Sequence, residues 1–180
     1  MNTSSVATFE YYGIAPFEVE ALFSILNGAF TVRERKVERN YEDNYASMVN
    51  ISFPLEFNSN FFAVIGRKRW DMIMFLIKEM RRRTGKKGVM LVMRFTGNPA
   101  LSFTVAMHDA NLFEFALEKM EILDELISLQ LDRRRLPEGI DRVHYQFDTS
   151  TSRWRPIEAQ GNGLTFKYED GEWIIVECKN

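Results

Sequence analysis

The sequence predicts an α+β fold in which a mixed, mainly antiparallel sheet packs with three helices. Hydrophobic residues make up 46% of the chain and charged residues 27%, which is typical of a globular protein. Short segments alternate apolar and polar residues, and three longer segments repeat apolar residues every three or four positions, which indicates strands and helices respectively. At 180 residues the chain is predicted to form a single domain, 1–180.

The first half is predicted to run strand, helix, strand, strand, helix, strand. Pro16 is tolerated in a first helical turn, and Gly28 and Gly85 are typical residues at helix ends. The segment 54–66 is interpreted as a loop that packs down, and the strand 88–95 as central and buried on both faces. The predicted elements are 6–12, 16–27, 31–39, 45–53, 68–84 and 88–95. This order matches the ferredoxin-like arrangement; αββ units around one larger sheet are an equal alternative.

The second half is predicted to hold one strand, one long helix and a β-meander. Asp109 is the expected N-cap of the helix, which ends near Leu131. Asn162-Gly163 and Asp170-Gly171 are strong hairpin signals. The predicted strands are 100–107, 142–148, 153–159, 164–169 and 172–177. A subdivision into a ferredoxin-like half, 1–96, and a helix-plus-meander half, 97–180, is the alternative to a single domain.

The location of the protein is predicted from its cysteine content and its hydropathy. Cys178 is the single cysteine, so an intramolecular disulfide is excluded and a reducing compartment is expected. Residues 1–5 are polar and precede no apolar segment of the signal-peptide kind. No apolar run approaches the length of a membrane span. We therefore expect a cytoplasmic protein without a membrane partner.

Catalytic and metal-binding motifs are sparse. The two histidines, His108 and His144, are too far apart in sequence for a local metal-binding pair, and there is no Gly-x-Ser-x-Gly elbow. The segment 84–88 lacks the first glycine and the Ser or Thr of a phosphate-binding loop. His108, beside Asp109, is the better acid–base candidate, although an ordinary hydrogen-bonded histidine is the favoured interpretation of both. No cofactor and no metal are predicted. A Cys–His or Ser–His pair formed in three dimensions stays open, and catalysis is left open with a leaning against it.

Charge is unevenly distributed along the chain. The segment 67–94 contains ten basic residues and two acidic ones. Such a cluster can bind a polyanion, or it can be a solvated surface that complements the dipole of a helix end. Trp154, between Arg153 and Arg155, would offer a base-stacking ring. The predicted polyanion- or partner-binding residues are Arg81, Arg82, Arg83, Lys86, Lys87, Arg33, Arg35 and Arg39.

The long third helix carries an acidic face between two apolar stripes. Glu114, Glu118, Glu121 and Glu125 are spaced so that they share one helical face. One apolar stripe can pack on the sheet, and the other can pack on a copy of the same helix, which predicts a homodimer. The alternative is that later strands cover the second stripe. The predicted dimer residues are Phe115, Ile122, Leu126 and Leu129.

Three functions remain after these observations. The first choice is a non-catalytic binding or regulatory protein that engages a nucleic acid or an acidic protein through its basic cluster. The second is a small-molecule enzyme or ligand-sensing domain with a pocket at the sheet. The third is a homo-oligomeric assembly module that uses the long helix. The sequence leaves open whether its acidic and basic regions pair within one molecule.

Overall fold

The computed structural model describes residues 6–39, 44–120, 122–123, 127 and 136–178. Its strands form one nine-stranded sheet in the order β2-β1-β3-β4-β5-β6-β7-β8-β9. The strands are β1 (Val6–Tyr12), β2 (Thr31–Lys36), β3 (Ser47–Phe53), β4 (Val89–Phe95), β5 (Ala100–Ala106), β6 (Arg142–Asp148), β7 (Arg153–Gly161), β8 (Leu164–Glu169) and β9 (Glu172–Cys178). The helices are α1 (Pro16–Asn27), α2 (Ser59–Ile65), α3 (Arg67–Thr84) and α4 (Ala110–Met120). The predicted end of the third helix near Leu131 lies outside the described residues.

The pairing of the strands confirms the α+β class and the mixed, mainly antiparallel sheet. The pairs β1–β2, β3–β4 and β5–β6 are parallel, and the other five neighbouring pairs are antiparallel. The order of elements follows the ferredoxin-like pattern only roughly. In the split pattern another strand separates the two strands that a helix joins, whereas β1 and β2 are direct neighbours here. One sheet then continues from the first half into the C-terminal meander.

The four described helices bury their apolar faces against the same side of the sheet. The row Phe9, Ile51, Met93, Phe103 and Tyr145 follows the strand register from β1 to β6. All five side chains are at most 1% exposed and belong to one core cluster with the buried residues of the helices. Alternation then sends the next residue of each strand to the opposite side. We call that side, on which no described helix packs, the open face.

The predictions for the segment 54–66 and for β4 are wrong. The segment 54–66 contains α2, because the Asn58 side chain accepts hydrogen bonds from the backbone of Asn60 and Phe61 and so caps a short helix. β4 is not buried on both faces. Leu91 and Met93 are covered by helices, whereas Arg94 is exposed on the open face.

The hairpin and cap predictions are confirmed. Asn162 and Asp170 have φ angles of 50° and 48°, and each precedes a glycine in a two-residue turn, where positive φ matches the twist of the strands. The Asp109 carboxylate accepts a hydrogen bond from the Leu112 backbone at 2.9 Å and caps α4. None of the helices in the described part of the chain combines the length and the hydropathy that a bilayer crossing needs.

Candidate functional site

The helix-end cluster, defined as Arg81, Arg82, Arg83, Lys86 and Lys87, divides into buried and exposed parts. Arg81 is only 3% exposed. Its guanidinium donates to the backbone carbonyl of Gly85 at 2.5 Å and to that of His108. Arg81 therefore ties the end of α3 to the loop before α4, and its charge is turned toward the interior instead of toward a partner.

The next two arginines of this cluster are paired with carboxylates of the same molecule. Arg83 donates two hydrogen bonds, at 2.9 and 2.8 Å, to Glu18, whose side chain is 4% exposed. A bidentate pair of this kind is directional and strong. Arg82 contacts Glu79 within α3 and Glu114 on α4, the latter at 3.3 Å.

A second bridge joins the same two helices. Lys78 on α3 lies 3.0 Å from Glu118 on α4, parallel to the pair that Arg82 makes with Glu114. The basic helix and the described part of the acidic face thus meet within one molecule. Glu121 and Glu125, the other two members of that face, lie outside the described residues. Three carboxylates from outside the basic segment, Glu18, Glu114 and Glu118, therefore pair with its cations and offset part of its charge excess.

The remaining predicted cations are exposed. Lys86 and Lys87 follow α3, and Arg33, Arg35 and Arg39 lie on or just after the edge strand β2. Arg35 forms an ion pair with Glu10 on β1. Trp154 is 4% exposed and its ring nitrogen donates to the Ala116 carbonyl at 3.1 Å. The idea that Trp154 stacks on a base is therefore wrong, because the ring is a core residue under α4.

The open face holds a different set of groups, which we call the polar row. Arg94 on β4 pairs in register with Ser102 on β5, Ser102 with His144 on β6, and His144 with Glu158 on β7. Neighbouring strands of a sheet lie about 4.7–4.9 Å apart, so residues in register on one face are adjacent. Four residues that are up to 64 positions apart in sequence therefore form one continuous line across four strands.

The polar row lies in a depression of 660 Å³ on the open face. This volume is within the roughly 300–1,000 Å³ that ligand sites occupy. Arg142 and Gln160 extend its lining. They pair with each other, two residues before His144 on β6 and two residues after Glu158 on β7. Gln160 donates to the Glu158 carboxylate at 2.8 Å. The depression thus combines two exposed guanidinium groups, one held carboxylate and a histidine.

Within the polar row, the Ser102 Oγ lies 2.7 Å from the His144 Nδ1. Both side chains are half-buried. Burial lowers the pKa of His144 below its ordinary value of 6.5; the Glu158 carboxylate opposes this effect, and the Arg94 charge adds to it. At neutral pH the imidazole is therefore uncharged and can accept the hydrogen bond that the Ser102 hydroxyl donates.

The lowered pKa of His144 predicts a pH-dependent term in stability. Above pH 6.5 the residue is neutral in both states, so it contributes no pH dependence. Below pH 6.5 the unfolded chain takes up a proton that the folded protein resists, so stability falls until the folded-state pKa is passed. Wild-type protein should lose more stability than His144→Asn between pH 7 and pH 5.5 in urea unfolding. An equal loss in both proteins, with His108→Asn as the control, would contradict this assignment.

The geometry reverses the ranking of the two histidines. His108 is exposed and stacks on Tyr45, with ring centroids 4.8 Å apart, and none of the hydrogen bonds among the described residues joins its ring to a serine, threonine or cysteine. His144 has the serine neighbour, the held carboxylate and the depression. Sequence reasoning missed this site because Ser102, His144 and Glu158 each look like an ordinary polar residue of an alternating strand.

The predicted dimer stripe is described only in part. Phe115 and Ile122 are 37% and 54% exposed, and Phe115 also packs edge-on against Phe147. Leu126 and Leu129 lie outside the described residues. Dimerisation through this stripe stays a prediction.

Neither a metal-binding cluster in the described part of the chain nor a known relative identifies the site. Within the described ranges, no three His, Cys, Asp or Glu side chains are grouped as ligands of a metal ion. Comparison of the chain with protein-family models, with curated proteins and with solved structures finds no match. Any function at this site must therefore be inferred from the residues of the depression themselves.

Proposed function

We propose that the protein binds a small anionic molecule in the depression on the open face of its sheet. The observation that carries this proposal is a 660 Å³ depression in which Arg94 and Arg142 accompany the half-buried pair of Ser102 and His144. This is the second of the three functions that the sequence leaves open, the ligand-binding domain with a sheet-side pocket.

The chemistry of the lining favours an anion. A guanidinium group presents a planar set of donors that matches a carboxylate or phosphate. The described ion pairs include no partner for Arg94 or Arg142. Ser102 and Gln160 add neutral polar groups that can fix the orientation of a ligand, which is the usual composition of a small-molecule site.

Polyanion or acidic-protein binding by the basic residues is the second candidate function. Its support is the exposure of Lys86 and Lys87 after the C-terminus of α3. It is weaker than the first candidate because Arg81 is buried and Arg83 is held by Glu18. With either function, we also propose that the protein is cytoplasmic and forms a homodimer.

Replacing either arginine of the depression should weaken anion binding. Acetate, succinate, inorganic phosphate and pyrophosphate would be titrated into the protein and followed by calorimetry. For the anion that binds best, Arg94→Ala and Arg142→Ala should each reduce affinity by at least roughly tenfold, since one charge-assisted hydrogen bond contributes about 1.5–3 kcal/mol. Raising the salt concentration should reduce the affinity of all proteins.

The matched control is the double variant Lys86→Ala/Lys87→Ala, which removes two exposed cations just before β4, at the opposite end of that strand from Arg94. Its affinity for the small anion should equal that of wild type. The proposal would be overturned in favour of the second candidate if a single-stranded oligonucleotide binds to the protein instead. In that case the lysine variant should lose oligonucleotide binding, whereas the arginine variants should keep it.

A further inference from the structure

Along the polar row a cation, a nucleophile, a base and a carboxylate follow one another, which is an order that suits nucleophilic catalysis. Ser102 stands between Arg94 on one side and His144 on the other, and Glu158 lies beyond His144. A serine within hydrogen-bond distance of a histidine that is flanked by a third group is the arrangement that activates a hydroxyl for attack. Each member comes from a different strand of the same rigid sheet, so the row is held in place by the strand register.

We propose that Ser102, His144, Glu158 and Arg94 form a hydrolytic site that cleaves a small ester bearing an anionic group. The substrate class rests on the proposed function, because Arg142 would hold the anionic group in the same depression. The reaction needs water as its only co-reactant.

Proton and bond changes balance along the row. The Ser102 oxygen attacks the ester carbonyl carbon while its proton passes to His144 Nδ1. The bond to the leaving alcohol then breaks, and His144 returns the proton to that alcohol, which leaves the acyl group on Ser102. Water attacks the acyl carbon and gives its proton to His144, the bond to Oγ breaks, and Ser102 regains the proton. The products are an acid and an alcohol.

The neighbours of this pair have distinct roles. Arg94, the register partner of Ser102, is placed to stabilise the negative charge that develops on the carbonyl oxygen. Glu158 is a positioning residue: it favours the protonated imidazole that forms during the attack, and it is itself held by Gln160 at 2.8 Å. Burial keeps His144 neutral before the reaction, which is the state in which a histidine can act as a base.

The test is covalent labelling of the full chain with diisopropyl fluorophosphate, followed by intact-mass measurement and peptide mapping. We expect one phosphoryl group on Ser102 and none on Ser102→Ala. His144→Ala should label at least about 100-fold more slowly, since general base catalysis typically contributes that much. Thr104→Ala removes a hydroxyl from the same strand and face, and His108→Ala removes the other histidine; both should label like wild type.

Glu158→Gln separates a positioning role from a merely structural one. Because the Glu158 carboxylate raises the pKa of His144, its removal should move the midpoint of the labelling-rate profile to lower pH. An unchanged midpoint in this variant overturns the role of Glu158.

The outcomes distinguish the two proposals. Wild-type protein that leaves Ser102 unlabelled, or that labels equally in His144→Ala, overturns the hydrolytic site even where arginine-dependent anion binding is intact. Labelled Ser102 in a protein that binds no anion of the panel overturns the anionic substrate class together with the proposed function. Labelled Ser102 with arginine-dependent binding supports both.

Discussion

Replacing Arg81 with alanine is expected to lower the free energy of unfolding by about 3 kcal/mol. The guanidinium is 3% exposed and donates to the carbonyls of Gly85 and His108, and a hydrogen bond from a charged donor contributes about 1.5–3 kcal/mol. Alanine would leave both carbonyls without this donor and would open a gap between the end of α3 and the loop before α4. Urea unfolding monitored by circular dichroism would measure the change.

Arg82→Ala is the matched control for this prediction. Arg82 is the next residue, has the same side chain and makes only exposed ion pairs with Glu79 and Glu114, which contribute little to stability. A similar loss of stability in both variants would contradict the buried role of Arg81. A binding experiment that changes Arg81, Arg82 and Arg83 together would therefore mix unfolding with any loss of charge.

Phe103→Ala should have the largest effect on stability, a loss of about 3–5 kcal/mol. The ring is 1% exposed and lies in the aromatic core beneath the polar row. It contacts four other rings with centroid distances of 5.1, 5.9, 5.3 and 5.6 Å, those of Phe57, Phe95, Tyr145 and Trp154. Because Phe103 follows Ser102 on β5, a cavity at this position should also loosen the register that joins Ser102 to His144.

Phe75→Ala is the control, since Phe75 is 60% exposed on α3 and surface substitutions usually change stability by less than about 0.5 kcal/mol. Differential scanning calorimetry of the two variants would compare their losses. Should Phe103→Ala unfold at the temperature of Phe75→Ala, the central position of the Phe103 ring in the core would be refuted.

Local patterns in the sequence were sufficient to predict most elements and their buried faces. The bounds of β1, β6, β8 and α1 agree with the predicted ranges, because alternation and helical periodicity come directly from backbone geometry. Helical periodicity on α3 indicates a buried stripe from Trp70 to Met80, and these residues are buried. Met72 and Phe75, which were expected to widen that stripe, are exposed. α2 was missed because seven residues give too short a window for periodicity to separate a helix from a packed loop.

The order of the strands in the sheet and the pairing of charged side chains could not be predicted from local sequence patterns. Hydrophobic alternation says which residues of β1 and β2 share a face, but it is the same for any order of the strands. The ferredoxin-like pattern therefore agreed with the chain order of the elements and not with the direct pairing of β1 with β2. Likewise, a row of basic residues on α3 gave no sign that Glu18 and Glu114 would meet Arg83 and Arg82.

By itself, the sequence determined the α+β class, the alternation that sends Ser102 and His144 to the side opposite the core, and the turns that join the meander. Only the tertiary structure decided that β4 to β7 lie side by side, which brings Ser102 to 2.7 Å from His144. A register shift between β6 and β7 then places Glu158 opposite His144. The physical reason is that alternation is a property of one strand, whereas register depends on contacts between strands that are distant in sequence.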